Sequence, residues 1–477
     1  MASSLLSFWD EAGIATRNVV ERFSGIGQPT LRLGVTGLAR AGKTVFITAL
    51  VQALMRGERL PVFEVAASGR LRQATLQPQP DDEVPRFAVE EHMRTLVDDR
   101  RWPDSTRRIA ELRIAVEYEG ASGGPPRTLF LDVIDYPGEW LLDLALMETD
   151  YRTFCGETMD AAGSPARRDL SAAFRAALAG FDPNGPPDER AAEGLAELFK
   201  AYLKACRTEP YSLSTLPPGR FLLPGDLEGS PALTFAPLDL KGAAIASKSL
   251  AGMMRHRYEA YRTKIVRPFF RDQFARLDRQ IVLVDLLSAL DAGPDAVADL
   301  EAALARVLLA FRAGRNGWIS GLLSPRIDRV MFAATKADHL HHTQHDRLEA
   351  ILRLILERAM RRVERAGAKV EVAALASVRA TREAAVRDGG ETLSAIVGVP
   401  RAGERVGERV FDGVAEVAIF TGELPSDPKR ALVEGYDLRF PRVLPPLVSR
   451  GPDGRAASLP HIRLDRALQF LLGDRLR

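Results

Sequence analysis

Residues Leu31 to Thr44 leave this chain few folds to adopt. An apolar strand pattern runs into Gly37-x-x-x-x-Gly42-Lys43-Thr44 and then into good helix formers from Val45 to Met55. A strand passed through such a loop into a helix is the opening unit of an α/β sheet. The glycines let the backbone turn tightly and aim its N–H groups inward. Those amides, with the positive end of the following helix, make a receptor for an anion. Gly37, Arg40, Ala41, Gly42, Lys43, Thr44 and Val45 are expected to cradle phosphates. Lys43 would reach the β- and γ-phosphates, and Thr44 would offer its hydroxyl to Mg²⁺. Lysine is scarce here, nine among 65 basic residues. One of them stands where a compact ammonium on a flexible stem is needed.

At 477 residues the chain can bury more than one core. A net charge of +2 provides no field to attract nucleic acid, and no nucleic-acid partner is expected. Two cysteines, Cys155 and Cys206, form neither a disulfide framework nor a metal pattern, which suits a reducing, cytoplasmic setting. No apolar run approaches the ~18 residues that span a bilayer, and no cationic lead-in of a signal peptide is present. Residues 1–30 read as an amphipathic helix with Leu5, Phe8, Trp9, Ala12, Val19 and Phe23 on one face. Packing on the protein is favoured over peripheral membrane contact, because the polar face lacks a Lys/Arg stripe.

Further motifs follow in the order a guanine-nucleotide switch requires. Leu112 to Tyr118 and Leu129 to Ile134 read as an antiparallel hairpin ending in Asp135-Tyr-Pro-Gly138. Asp135 can hold Mg²⁺ through water and the Gly138 N–H can touch a γ-phosphate; loss of that phosphate would release the loop. A buried strand at Ile281 to Asp285 follows, and another, Val330 to Ala334, ends in Thr335-Lys-Ala-Asp338. This resembles the guanine-specificity motif N/T-K-x-D. Its carboxylate accepts two hydrogen bonds from guanine, where adenine offers an acceptor and no amino group. Lys336 would pack over the base, and Thr335 stands in for the commoner Asn. A strand from Val370 to Leu375 leads to Ala376-Ser377-Val378-Arg379, where Ser377 and Val378 are candidates to contact the guanine carbonyl through backbone N–H. The first-switch threonine is the least defined position. Thr106 is the candidate metal ligand beside Thr44 and Asp135, with Ser105 and Thr75 as rivals.

Hydrolysis needs groups beyond those that bind. Glu139 and Trp140 follow Gly138 where many GTPases place a water-orienting Gln. Glu139 can position water at an electrostatic cost, and Arg40, inside the phosphate loop, can supply transition-state charge in cis. Lys43, Arg40 and Glu139 form the candidate catalytic set.

Residues 139–277 exceed what a switch and its helix require. They pattern as helices near Leu170–Leu178, Asp188–Cys206 and Ser247–Leu277, with a Pro/Gly-rich stretch at Thr215–Pro237. Such an insertion could pass nucleotide state to an unknown protein partner or serve as a rigid lid. Four of the seven histidines, His339, His341, His342 and His345, follow Asp338. Helical spacing would let His345 share a metal with His341 or His342. The blander account is a polar helix start, with Thr343 and Asp346 as a capping box. Near the end, Val417–Phe420 and Leu438–Val443 read as strands and Leu464–Leu476 as a helix.

Gly37-Leu-Ala-Arg-Ala-Gly-Lys-Thr-Val-Phe-Ile-Thr48, Asp135-Tyr-Pro-Gly-Glu-Trp140, Thr335-Lys-Ala-Asp-His-Leu340 and the Pro460-to-Asp474 ending together resemble the YcjX-like bacterial stress proteins. The resemblance spans essentially the whole chain. It implies a P-loop nucleotide-binding protein tied to the phage-shock, or envelope-stress, response and a cytoplasmic location near the inner membrane. The expected fold is α/β: a P-loop, GTPase-like mixed sheet flanked by helices, with a large helical insertion and a C-terminal α+β extension. The core is assigned to 31–138 and 278–400, the insertion to 139–277 and the extension to 401–477. The expected ligands are GTP or GDP with Mg²⁺, and the expected activity is slow GTP hydrolysis. An ATPase and a nucleotide-binding scaffold without turnover are the alternatives.

Overall fold

The computed structural model describes residues 29–477 apart from 39, 105–107, 209–210, 212, 243, 310–326, 366, 389–390, 452–453 and 455. The amphipathic segment within 1–30, and the switch candidates Ser105 and Thr106, thus fall outside the described residues.

Seven strands form the main sheet: β1 (Thr30–Gly37), β2 (Leu71–Gln77), β3 (Ala110–Tyr118), β4 (Arg127–Asp135), β5 (Arg279–Val284), β6 (Arg329–Ala334) and β7 (Lys369–Ala374). Their spatial order is β2-β3-β4-β1-β5-β6-β7. β1 is parallel to both β4 and β5, and β5, β6 and β7 continue parallel. β3 is antiparallel to β4, as the hairpin reading expected, and β2 adds an antiparallel edge that the sequence reading missed. The order changes direction at β1. In such sheets, ligands bind in the crevice beyond the carboxyl ends of the strands beside that point.

Side chains alternate across the sheet and fill two cores. On one face, Val282, Val284, Val330 and Phe332 join the helices that follow Gly138 in one apolar cluster. On the other, Leu31, Leu33, Val35, Ile281, Leu283 and Met331 pack with the helix after the phosphate loop and the C-terminal helix. The helices are α1 (Lys43–Arg56), α2 (Val89–Val97), α3 (Glu139–Leu146), α4 (Tyr151–Gly163), α5 (Ala172–Leu178), α6 (Glu189–Arg207), α7 (Leu250–Tyr261), α8 (Leu286–Ala292), α9 (Pro294–Leu309), α10 (His345–Arg365) and α11 (Leu464–Leu472). Several start where a side-chain oxygen takes an orphan N–H. Asp150 caps α4, Asp188 caps α6, Ser249 caps α7 and Asp285 caps α8. Phe154 stacks on Tyr258 with centroids 4.9 Å apart, tying α4 to α7.

Four local expectations are revised. The helix expected across Ser247–Leu277 is broken: α7 ends at Tyr261, a π-turn covers Arg262–Val266, and a short helix covers Arg267–Asp272. Pro268 explains the irregularity, because it has no N–H to continue the ladder. Leu438–Val443 makes no ladder; only Val443 bridges Pro400, with Pro441 removing a donor between. Thr343 does not cap α10. Its hydroxyl lies 3.0 Å from His341 Nδ1, and α10 begins after a 3₁₀ turn at His342–Gln344. A small antiparallel sheet joins β8 (Arg382–Asp388), β9 (Glu391–Gly398) and a strand at Val417–Ile419, so it straddles residue 400 instead of starting beyond it.

The C-terminal helix is anchored by a buried cation. Arg279, fully buried at the start of β5, pairs with Asp328 and with Asp474, 2.8 Å away. It also donates to the Leu471 carbonyl at 3.2 Å. Among the described residues no helix is long and apolar enough to cross a membrane.

Candidate functional site

Gly37, Asp135, Val284, Ala334 and Ala374 end five adjacent strands at one edge of the sheet. Val35 is level with Asp135, Gly37 with Leu283, and Ala334 with both Val284 and Ala374. The phosphate-loop and Asp135–Gly138 segments therefore leave neighbouring strands, and the Thr335–Asp338 segment leaves the same edge one strand further on, beyond β5. Gly37 has no room for a side chain: a Cβ there would lie 2.9 Å from the Leu283 carbonyl oxygen. Gly42 caps α1 in the left-handed region at φ 79°, and Arg40 is left-handed at φ 60°. For a non-glycine residue that conformation costs about 1 kcal/mol, a strain of the kind that gathers at ligand-binding loops. Lys43 folds back over the loop, its Nζ 3.5 Å from the Gly37 carbonyl.

Thr44 is buried, and its hydroxyl lies 3.3 Å from the Asp104 carbonyl. Asp104 itself therefore reaches the Thr44 position. Thr75 does not. It sits within β2 opposite Ala115, its hydroxyl accepting from the Gln77 side chain at 3.0 Å.

Asp135 is buried at the end of β4. Gly138 presses on the phosphate loop so closely that a Cβ would stand 2.4 Å from the Gly37 carbonyl oxygen. The two loops are thus in direct backbone contact. Tyr136 between them is fixed by donating its hydroxyl to Gln280 Oε1 at 2.7 Å, in space that Gly34 leaves open on β1.

The Thr335–Asp338 segment is equally anchored. Thr335 N–H donates to the Val284 carbonyl at 2.9 Å and Ala337 N–H to the Leu375 carbonyl at 3.1 Å. Lys336 is left-handed at φ 59°, and its ammonium pairs with Asp285, the cap of α8. Asp338 is buried, and its Oδ2 accepts from Ala380 N–H at 2.9 Å. The loop carrying Ser377 and Val378 is held by the C-terminal segment: Ala376 and Ile462 exchange two backbone bonds, and Val378 is buried in the core. This places the Pro460-His-Ile segment directly against the Ala376–Arg379 loop.

The sequence reading missed the grip on α3. It is buried all round, through Trp140, Leu141, Leu142, Asp143 and Leu144. Asp143 accepts from Gly219 N–H at 2.6 Å, Arg220 N–H at 3.2 Å and the Tyr261 hydroxyl at 2.6 Å. Arg220 lies over the Trp140 ring, 3.7 Å from its centroid. Gly219 touches the Glu139 backbone, leaving no space for a Cβ. Glu139 itself is buried and paired with Arg207, the last residue of α6, at 2.6 Å. That pair ties its carboxylate to the helical insertion. One signal in the sequence pointed here: a lone acid, Asp143, inside the apolar run Trp140–Leu146.

Burial raises the Asp143 carboxyl to about 6, against the hydrogen bonds from Tyr261, Gly219 and Arg220 that lower it. A folded-state value above the unfolded one means stability is fully present below pH ~3.8 and is lost as pH rises through about 6. The loss amounts to about 3 kcal/mol. Thermal melts from pH 4.5 to 7 should show Asp143→Asn lacking this decline, and parallel curves for the two proteins would contradict it. Asp143→Ala should cost about 3 kcal/mol or more, since three buried donors lose their acceptor.

The YcjX-like family (DUF463) matches residues 31–476. The chain belongs to that family. A protein of Escherichia coli strain K12 named Ras-like GTPase YcjX is 36% identical over 464 residues, covering 94% of this chain and 96% of the relative. One of the same name from Shewanella oneidensis is 33% identical over 476 residues, covering 94% of each. The fold accords with that membership: an α/β, P-loop GTPase-like mixed sheet flanked by helices, with a helical insertion after Gly138.

Proposed function

We propose that this protein binds GTP and GDP with Mg²⁺ and hydrolyses GTP slowly, acting as a nucleotide switch. The observation that carries the reading is that the Gly37–Thr44 loop, Asp135–Gly138 and Thr335–Asp338 all leave one edge of the sheet, the first two in direct backbone contact. The names of the two relatives support it. In this reading the loop amides and Lys43 hold phosphates, Gly138 senses the γ-phosphate, and Asp338 selects guanine over adenine. Ser377 and Val378 offer backbone N–H to the base, and Lys336, steadied by Asp285, lies against it. Thr44 and Asp135 present a hydroxyl and a carboxylate, hard oxygen donors of the kind Mg²⁺ takes, and Thr106 is their proposed companion. The metal supplies charge neutralisation between the β- and γ-phosphates. A stress-response role in the cytoplasm, near the inner membrane, follows from the family resemblance. Equilibrium binding of GTP, GDP and ATP, each with and without Mg²⁺, tests the reading. Equal affinity for ATP and GTP would turn it into an ATPase.

Arg40, exposed on the phosphate loop, is the residue proposed to supply transition-state charge, and Glu139, paired to Arg207, is the other hydrolytic candidate. Arg40→Ala should bind GTP within about twofold of the unmodified protein and release phosphate at least ~10-fold more slowly. Unchanged phosphate release would remove Arg40 from the mechanism. If the unmodified protein itself shows no release beyond that of Lys43→Ala, the scaffold reading stands instead; the paired Glu139 and the absence of a Gln after Gly138 favour that second reading.

A further inference from the structure

The histidines after Asp338 are separated by the fold in a way their spacing does not foretell. His345 is buried at the start of α10, its Nε2 2.9 Å from the Ala337 carbonyl, and burial lowers its pKa. It is therefore unavailable to His341 or His342, and the helical metal pairing expected from sequence does not form. His341 and His342 are instead brought against Glu383, the second residue of β8. His342 Nδ1 lies 2.6 Å and His341 Nε2 3.8 Å from the same carboxylate oxygen, Oε2. One donor atom from each of the three residues lies within 4.8 Å of the others.

The surroundings orient these donors. Arg379 holds the other Glu383 oxygen, Oε1, at 3.3 Å, leaving Oε2 turned to the imidazoles. The Thr343 hydroxyl lies 3.0 Å from His341 Nδ1. The Thr343 N–H also donates to that nitrogen, at 3.5 Å, so Nε2, the atom facing Glu383, carries the proton that a metal would displace. His342 is 63% exposed at its side chain, so water can complete a coordination shell. Two imidazoles and one carboxylate suit Zn²⁺ far better than Mg²⁺ or Ca²⁺, which prefer all-oxygen sets.

We propose that His341, His342 and Glu383 form a zinc-class site, distinct from the Mg²⁺ position, with water as the remaining ligand. Ligand distances of about 2.0–2.2 Å need donors roughly 3.5 Å apart. His342 and Glu383 must open slightly and His341, 14% exposed at its side chain, must close slightly, which are rotamer-scale movements. The site would join the two loops that flank Asp338. His341 and His342 follow the Thr335–Asp338 loop, and Glu383 follows the loop whose Ala380 N–H and Thr381 hydroxyl bind Asp338. A bound metal would therefore cross-link both sides of the proposed base pocket. That consequence rests on the guanine reading; the metal site does not.

The test is titration of the full-length, chelator-stripped protein with ZnCl₂ in excess Mg²⁺ and without nucleotide, followed by isothermal calorimetry and thermal melts. One Zn²⁺ per chain is expected, with Kd on the order of 10⁻⁶ M and a raised Tm. His342→Ala and Glu383→Gln should each weaken binding at least ~10-fold, whereas Asp135→Asn should bind Zn²⁺ like the unmodified protein. Far-UV circular dichroism confirms that the variants fold. Undiminished one-to-one binding in the His341→Ala/His342→Ala double variant, or no binding tighter than ~10⁻⁴ M, would overturn the proposal. Dissociation of a fluorescent GDP analogue, with and without Zn²⁺, then reads the coupling. Slower release in the unmodified protein alone supports the cross-link. Zinc binding with unchanged release overturns the cross-link, and failure to bind GDP at all overturns the guanine reading while leaving the site intact.

Discussion

Lys43→Ala should lose at least ~100-fold in GTP affinity, or about 3 kcal/mol, because a charge-assisted contact to two phosphates disappears. The ammonium is already folded over the loop, 3.5 Å from the Gly37 carbonyl, so little ordering remains to be done when an anion arrives. Lys43→Arg should not restore affinity. Its planar guanidinium is too broad for a site that Gly37 and Gly138 keep tight by backbone contact. Fluorescence titration with a GTP analogue measures both variants, with thermal melts showing that they fold. Affinity in Lys43→Ala equal to that of the unmodified protein would mean that the loop does not bind phosphate.

Asp338→Asn is expected to cost on the order of 10³-fold in GTP and GDP affinity. The carboxylate accepts where guanine donates twice, and an amide places N–H against N–H. The same change should improve binding of xanthosine triphosphate, whose C2 carbonyl accepts what the amide donates. A gain for one nucleotide alongside a loss for another is a result that general unfolding cannot imitate. This matters because Asp338 Oδ2 also accepts from Ala380 N–H, so the variant disturbs the loop to some degree. Competition assays with GTP, xanthosine triphosphate and ATP decide the matter. If the ratio of GTP to ATP affinity is unmoved, Asp338 does not read the base.

The grip on α3 bears on how such a switch could work. In this chain the segment after Gly138 is already packed by Arg207, Gly219, Arg220 and Tyr261, within the same apolar core that covers one sheet face. Movement of Gly138 away from Gly37 must therefore either shift the insertion with α3 or break the Asp143 hydrogen bonds. On the proposed switch reading, α3 and the insertion would move as one body.

Strand–loop–helix motifs were legible because their chemistry is local. Gly37 to Thr44, Asp135 to Gly138 and Thr335 to Asp338 each lie within a few consecutive residues, and period-2 and period-3.6 patterns placed them on strand ends. β3, β4, β5, β6 and β7 accordingly formed where expected. Legibility failed where prolines cut an otherwise regular pattern, at Pro268 and Pro441, and at β2, a half-exposed edge strand with little alternation to detect.

The amino-acid sequence by itself determined the α/β core and the identities of the phosphate, metal and base candidates, since backbone propensity and motif spacing act between near neighbours. Tertiary structure alone decided which side chains those candidates meet. It gave Glu139 to Arg207, Lys336 to Asp285 and Asp143 to Gly219, Arg220 and Tyr261. It also turned His345 inward while joining His341 and His342 to Glu383. These partners lie from about forty to more than a hundred residues apart along the chain, and only the pairing of strands and the packing of two cores brings them within hydrogen-bond reach.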